Sequence, residues 1–179
     1  MSPLMLSLTL TVALGVAAQA GAAAHPVTAV DKVELDRYIG KWFEIARYPA
    51  WFQRKCVGGV TATYATRADG RLDVTNQCRT ADGTSTARGI ARIVDTTSNA
   101  KLKVRFAPAA LSFMPFVWGD YWILGLGPDY SWALVGTPDR KYLWILSRTP
   151  TLDDAQYRAA TDIAIANGFE TGRLIKTAI

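Results

Sequence analysis

Histidine is almost missing from this 179-residue chain, where His25 stands alone. Catalytic constellations of the Ser-His-Asp or Cys-His kind therefore have no base in the body of the sequence, and a zinc site built on imidazole is disfavoured. Cysteine is nearly as scarce, with only Cys56 and Cys78. There is no phosphate-binding glycine loop. Gly125-Leu126-Gly127 lacks the strand–turn–helix continuation that a dinucleotide site needs. No cofactor and no metal are expected, and the chain is not read as an enzyme.

Long hydrophobic runs are also few. The one clear case is Leu4–Val16, inside an uncharged stretch from Met1 to Ala24. It is shorter than the roughly 20 residues that span a bilayer. Small residues follow it, so residues 1–24 are expected to be a signal peptide cleaved after Ala20 or Ala24. Lipid attachment is not expected, because no cysteine follows the run directly. Residues 25–179 are then one exported domain, placed in the periplasm and associating with the outer membrane without a lipid anchor. In that compartment two cysteines favour a disulfide between Cys56 and Cys78, with two buried thiols as the other reading.

What is present alternates. Trp42, Glu44, Ala46 and Tyr48 share one face of a strand that begins at Gly40. Residues 60–66 and 71–76 flank Asp69-Gly70, which reads as a two-residue hairpin turn. That turn would set Cys78 opposite about Thr61, so a bridge to Cys56 requires Gly58-Gly59 to bulge. Further strands follow at 86–94, 101–106, 120–126, 131–136 and 141–148. Eight short strands joined by turns are the pattern of an all-β, eight-stranded antiparallel up-and-down barrel.

The last element has a different period. Thr151 and Asp154 suggest a capping box. Tyr157, Ala160, Ile163 and Ala164 form an apolar helical face, and Gly168 is placed to end the helix. This C-terminal helix is expected to pack on the outside of the barrel, over Phe43 and Ile45.

From about Val33 onward the chain resembles the lipocalins, in particular the bacterial subgroup related to apolipoprotein D and plant temperature-induced lipocalins. Gly40-Lys41-Trp42 with Phe43-Glu44-Ile45-Ala46-Arg47 is similar to the first lipocalin signature. Asp129-Tyr130 before Ala133-Leu134-Val135 is similar to the second. Arg148 corresponds to the third, within Tyr142-Leu143-Trp144-Ile145-Leu146-Ser147-Arg148. The resemblance implies a calyx closed at the Trp42 end, with Arg148 lying across the indole. Gly40, Trp42, Asp129, Tyr130 and Arg148 would be structural residues of the base, beside an inward Glu44.

Such a barrel has room for one small ligand. Alternation nominates Ala46, Tyr48, Val60, Ala62, Val74, Ala91, Leu102, Val104, Phe106, Tyr121, Ile123, Leu134, Tyr142 and Trp144 as its lining, with Tyr64, Leu72, Ile93 and Trp132 as further inward positions. Phe113 joins them from the Pro-punctuated segment 107–118, read as an apolar rim. A lining with few polar groups suits a lipid or other small hydrophobic ligand; the resemblance points to a fatty acid or lysophospholipid, for storage, transport or envelope maintenance. The alternatives are a non-ligand protein that forms a homodimer through its open-end loops, or a lipocalin-type isomerase. The formal net charge of +5 raises nucleic acid as a partner. However, Arg88, Arg92, Lys101, Lys103 and Arg105 fall on a presumed outer face, where an anionic membrane is the better partner. No nucleic acid is expected.

Overall fold

The computed structural model describes residues 25–179, so the expected leader at 1–24 lies outside the described residues. One turn of helix, α1 (Leu35–Tyr38), leads into the first strand. The strands are β1 (Gly40–Arg47), β2 (Gly58–Thr66), β3 (Leu72–Thr80), β4 (Gly83–Ile93), β5 (Lys101–Arg105), β6 (Gly119–Leu126), β7 (Trp132–Gly136) and β8 (Leu143–Ser147). Each pairs antiparallel with the next. β8 returns to β1, which closes the ring. The expected eight-stranded barrel is the fold. A short ninth strand, β9 (Ile175–Lys176), adds to β1 beyond the end of its pairing with β2.

Helix α2 (Asp154–Ala166) lies on the outside. Its buried face is Ala160 and Ala164, four apart, against Leu124, Trp132, Leu134, Leu143 and Ile145. Small residues on both sides permit the close approach: a Cβ on Gly125 would stand 2.9 Å from Ile163 Cδ1, and one on Gly136 2.8 Å from Phe169 Cζ. The cap is Asp153 rather than Thr151, its Oδ1 accepting from the Gln156 amide at 2.8 Å. Thr151 is held in the preceding loop, where its carbonyl accepts from the hydroxyls of Ser147 and Thr149. Gly168 ends the helix in the left-handed region (φ 76°), as its position implied. Ile45 packs with this outer layer. Phe43 does not; it sits beneath the Lys41 ammonium, 4.8 Å from the ring centroid.

Two strands present faces other than those expected, one through a bulge and one through its phase. In β1, Glu44 pairs with Leu146 and Ala46 with Ile145, so Ile45 is an extra, bulged residue. Beyond the bulge the faces exchange. Ala46 and Tyr48 belong to the outer core under α2, not to the lining, and Arg47 turns inward opposite Trp144. In β7, Trp132 and Leu134 also point outward, and the smaller Ala133 and Val135 point in. That strand is buried on both faces, so no polar side marks its phase.

The β2–β3 connection is five residues long, Arg67–Arg71, since Thr66 pairs with Leu72. Asp69 Oδ1 accepts from the Arg71 amide at 3.1 Å, which widens the two-residue turn suggested by Asp69-Gly70. Thr61 consequently faces Gln77 instead of Cys78. A second register shift between Gly58 and Thr61, at the expected diglycine bulge, brings Cys56 to Cys78. The two are disulfide-bonded, with Cα atoms 5.6 Å apart. Replacing both with serine should lower unfolding stability by about 3 kcal/mol, the loop-closure value for a span of this order. Urea unfolding of wild type and variant under oxidising conditions measures it.

Candidate functional site

The floor of the barrel is assembled around Trp42, which is fully buried. Its Nε1 donates to the Tyr38 carbonyl at 2.8 Å, fixing the indole against α1. The Arg148 guanidinium lies 3.7 Å from the centre of the indole, close enough for a cation–π contact. Its edge donates to the carbonyls of Tyr38 (3.1 Å), Ile39 (3.0 Å) and Lys41 (3.0 Å). Burial pulls this guanidinium below its ordinary pKa, partly offset by Tyr38. Gly40 has φ 99°, and a Cβ there would sit 3.3 Å from Arg148 Nη1; only glycine suits both demands. Tyr130, itself at φ 62°, accepts from the Glu34 amide at 2.9 Å and carries the Arg37 guanidinium 4.2 Å above its ring. Hydrogen bonds from Ser131 hold the Asp129 carboxyl below its usual pKa.

Above this floor the lower barrel is filled. Val74, Ala91, Leu102, Tyr121 and Ile123 are buried in one cluster with Trp42, and Ala62, Val104 and Trp144 pack against its edge. Within it three phenols converge. Tyr38 and Tyr121 share a hydrogen bond of 2.8 Å, and the Tyr64 hydroxyl donates to Tyr121, also at 2.8 Å. Burial pushes the Tyr64 hydroxyl up to about 12 and those of Tyr38 and Tyr121 well above 10.0. Tyr38 precedes the first strand, so alternation gave no hint of its place inside.

The upper barrel is different. Along β4 the wall opens to solvent from Ala87 upward, although its partner Asn76 on β3 is half-buried and keeps a buried Oδ1. Phe106 is 44% exposed and covers Gly89. Tyr142 and Trp144 stack at 5.7 Å, with Phe52 tilted over them. Here lies the inward Glu44, with partners that the sequence pattern did not supply. Buried Glu44 accepts from Arg47 Nη1 (3.2 Å), Gln53 Nε2 (2.7 Å) and Thr177 Oγ1 (2.6 Å). Gln53 Oε1 in turn accepts from Trp144 Nε1 at 3.2 Å.

Thr177 belongs to the C-terminal segment that runs between β1 and β2. Its amide donates to the Ile45 carbonyl (2.9 Å), and Gly59 donates to the Ala178 carbonyl (2.7 Å). Hollows of about 200 and 170 Å³ flank this segment, and Val60 lines both. At the mouth, Trp51, Phe52, Phe113 and Phe116 are half or more exposed. Phe113 thus belongs to the rim, outside the barrel. Trp118 is buried beneath Arg92 (4.4 Å) and Arg105 (5.3 Å). Lys103 pairs with Asp120 at 2.8 Å and Lys101 covers Trp122. Four of the five outer-face cations are therefore engaged locally.

A family model for a lipocalin-like domain matches residues 33–179. The chain belongs to the lipocalin family. It is 42% identical over 151 residues to the outer membrane lipoprotein Blc of Citrobacter freundii, covering 83% of this chain and 81% of that one. It is 40% identical over 150 residues to temperature-induced lipocalin-1 of Arabidopsis thaliana, with 83% and 80% covered. Among solved structures, insecticyanin from the tobacco hornworm Manduca sexta shares the fold of this lipocalin, with a TM-score of 0.68 at 18% identity over 88% of this chain and 86% of that one.

Two predictions test the floor of this lipocalin. Arg148→Ala strands several carbonyls and uncovers the indole, and should cost about 2–4 kcal/mol, read by urea unfolding with the near-ultraviolet dichroism of Trp42. The phenol cluster gives a pH dependence. Folded pKa values above the unfolded value of 10.0 mean that the unfolded chain releases these protons first. Stability is then fully present below about pH 10 and falls as pH rises toward 12 and beyond. Tyrosinate absorbance should show these three phenols titrating only as the protein unfolds.

Proposed function

We propose that this lipocalin binds a single-chain lipid, a fatty acid or lysophospholipid, in the upper half of its barrel, for storage, transport or envelope maintenance. The observation that carries this reading is the contrast between a sealed, side-chain-filled lower barrel and an upper wall open to solvent along β4 from Ala87 upward. Ala62, Val104, Phe106, Tyr142 and Trp144 form the wall, with Val60 beside the C-terminal segment. Val74, Ala91, Leu102, Tyr121 and Ile123 form the bed on which the ligand ends, and Phe113 is part of the lip. Mostly apolar walls with a few placed polar groups suit an acyl chain.

Binding rather than turnover fits the one buried carboxylate, since Glu44 is already occupied by three donors. The apolar stretch at residues 4–16 supports export to the periplasm, and the relative named as an outer membrane lipoprotein supports an envelope setting. The exposed aromatics of the lip, with Arg54 and Lys55 in the same loop, suit peripheral contact with an anionic bilayer. Mass spectrometry of protein purified gently from its native envelope tests the reading. About one acyl lipid per chain is expected, lost on delipidation and regained on adding oleate. An empty barrel in a stable dimer would instead favour assembly through the lip.

A further inference from the structure

Arg47 is the unusual residue of the inner wall. The bulge at Ile45 rotates it inward, where it pairs across the sheet with Trp144, and its side chain is only 11% exposed. Its neighbour Glu44 is well supplied, with donors from Arg47, Gln53 and Thr177. Arg47 is not. Nη1 reaches Glu44 at 3.2 Å, whereas Nε is buried with no acceptor among the described residues. A buried N–H without an acceptor is a standing cost that an incoming oxygen would relieve. The Nε side of a guanidinium is also the edge that receives two oxygens of a carboxylate or phosphate in parallel.

The surroundings hold this edge in place. Gln53 bridges Glu44 and the Trp144 indole, so the loop after β1 is tied to the same network. Phe52, Tyr142 and Trp144 provide an aromatic wall at the mouth. Glu44 offsets the charge of Arg47, which lets a cation remain inside the barrel. An anion arriving at Nε needs no displacement of Glu44, because that carboxylate is bonded through Nη1.

We propose that Arg47 is the headgroup-recognising residue of the barrel, taking the carboxylate or phosphate of an anionic single-chain lipid on its Nε edge, with Glu44, Gln53 and Thr177 as positioning residues. This rests on the lipid-binding reading above and adds the ligand class: anionic in preference to neutral. The test titrates delipidated protein with oleate, lysophosphatidylglycerol and the neutral monoolein by calorimetry. Arg47→Gln and the charge-neutral double variant Glu44→Gln/Arg47→Gln are compared with wild type, the second guarding against a fold weakened by an unpaired Glu44.

Both variants should lose about 10- to 100-fold in affinity for the anionic lipids, the loss of a charge-assisted hydrogen-bonded pair, with monoolein unchanged. Loss for oleate alone assigns the edge to carboxylates, and loss for the lysophospholipid alone to phosphates; either supports the proposal. Equal losses for all three ligands, or none, would overturn it while leaving lipid binding intact. Wild-type protein that takes up none of the three would overturn the lipid reading and this inference together.

Discussion

A closed barrel must join its last strand to its first, and in this protein one guanidinium completes that join at the base. Arg148 follows β8 directly, yet its bonds go to the carbonyls around the α1–β1 junction. Two of those carbonyls, of Tyr38 and Ile39, end a single helical turn and have no partners of their own within it, and the third, of Lys41, lies at the start of β1. The same side chain lays its face on Trp42. Planarity lets the face and the edge work at once, which an ammonium could not do. Because this end is sealed by backbone contacts as well as by an indole, the other end is the only one left for a ligand.

The barrel has two cores, and they share a wall. Inside are Trp42 and the phenols; outside, α2 covers β6 to β8 and the far end of β1. Strands in the shared wall are apolar on both faces. Strands away from α2 keep a polar side, as in Lys101–Arg105. The polar network of Glu44 and Arg47 sits above the inner core and close to the seam where the C-terminal segment enters. Its carboxylate is satisfied from three separate parts of the chain, namely β1, the loop after it and the tail, while Arg47 Nε keeps no acceptor among the described residues. Cooperative hydrogen bonding of this sort fixes geometry more than it adds stability.

This division decides how much of the molecule was legible in the residues. Where one face meets water, alternation gave the right phase: Leu102 and Val104 are inside, and the lysines beside them are outside. It failed at Leu134 and Trp132, where burial on both faces erases the signal, and at Ala46 and Tyr48, where one bulged residue inverts it. The helix stop at Gly168 was readable because a left-handed residue leaves a chemical mark, whereas the start slipped from Thr151 to Asp153 because both can cap. The Asp69-Gly70 pair suggested too short a turn, so the disulfide was reached through a different register. Trp42 and Arg148 are linked in the sequence only by their family pattern, being far apart along the chain. Arg47, Gln53 and Thr177 come together through a bulge, a loop and a two-residue strand, none of which has a periodic signature.

The bulge in β1 also works as a gearshift. Deleting Ile45 would keep the ladder to β8 and leave the later side chains on their present faces, whereas straightening the strand with every residue kept would shift that ladder by one and turn each later side chain over. Tyr48 and Ala46 would then paper the inside of the cup, and Arg47 would be driven into the oily seam beneath α2. The extra residue at Ile45 therefore decides whether this lip is cationic or aromatic, while the scaffold that carries it stays the same.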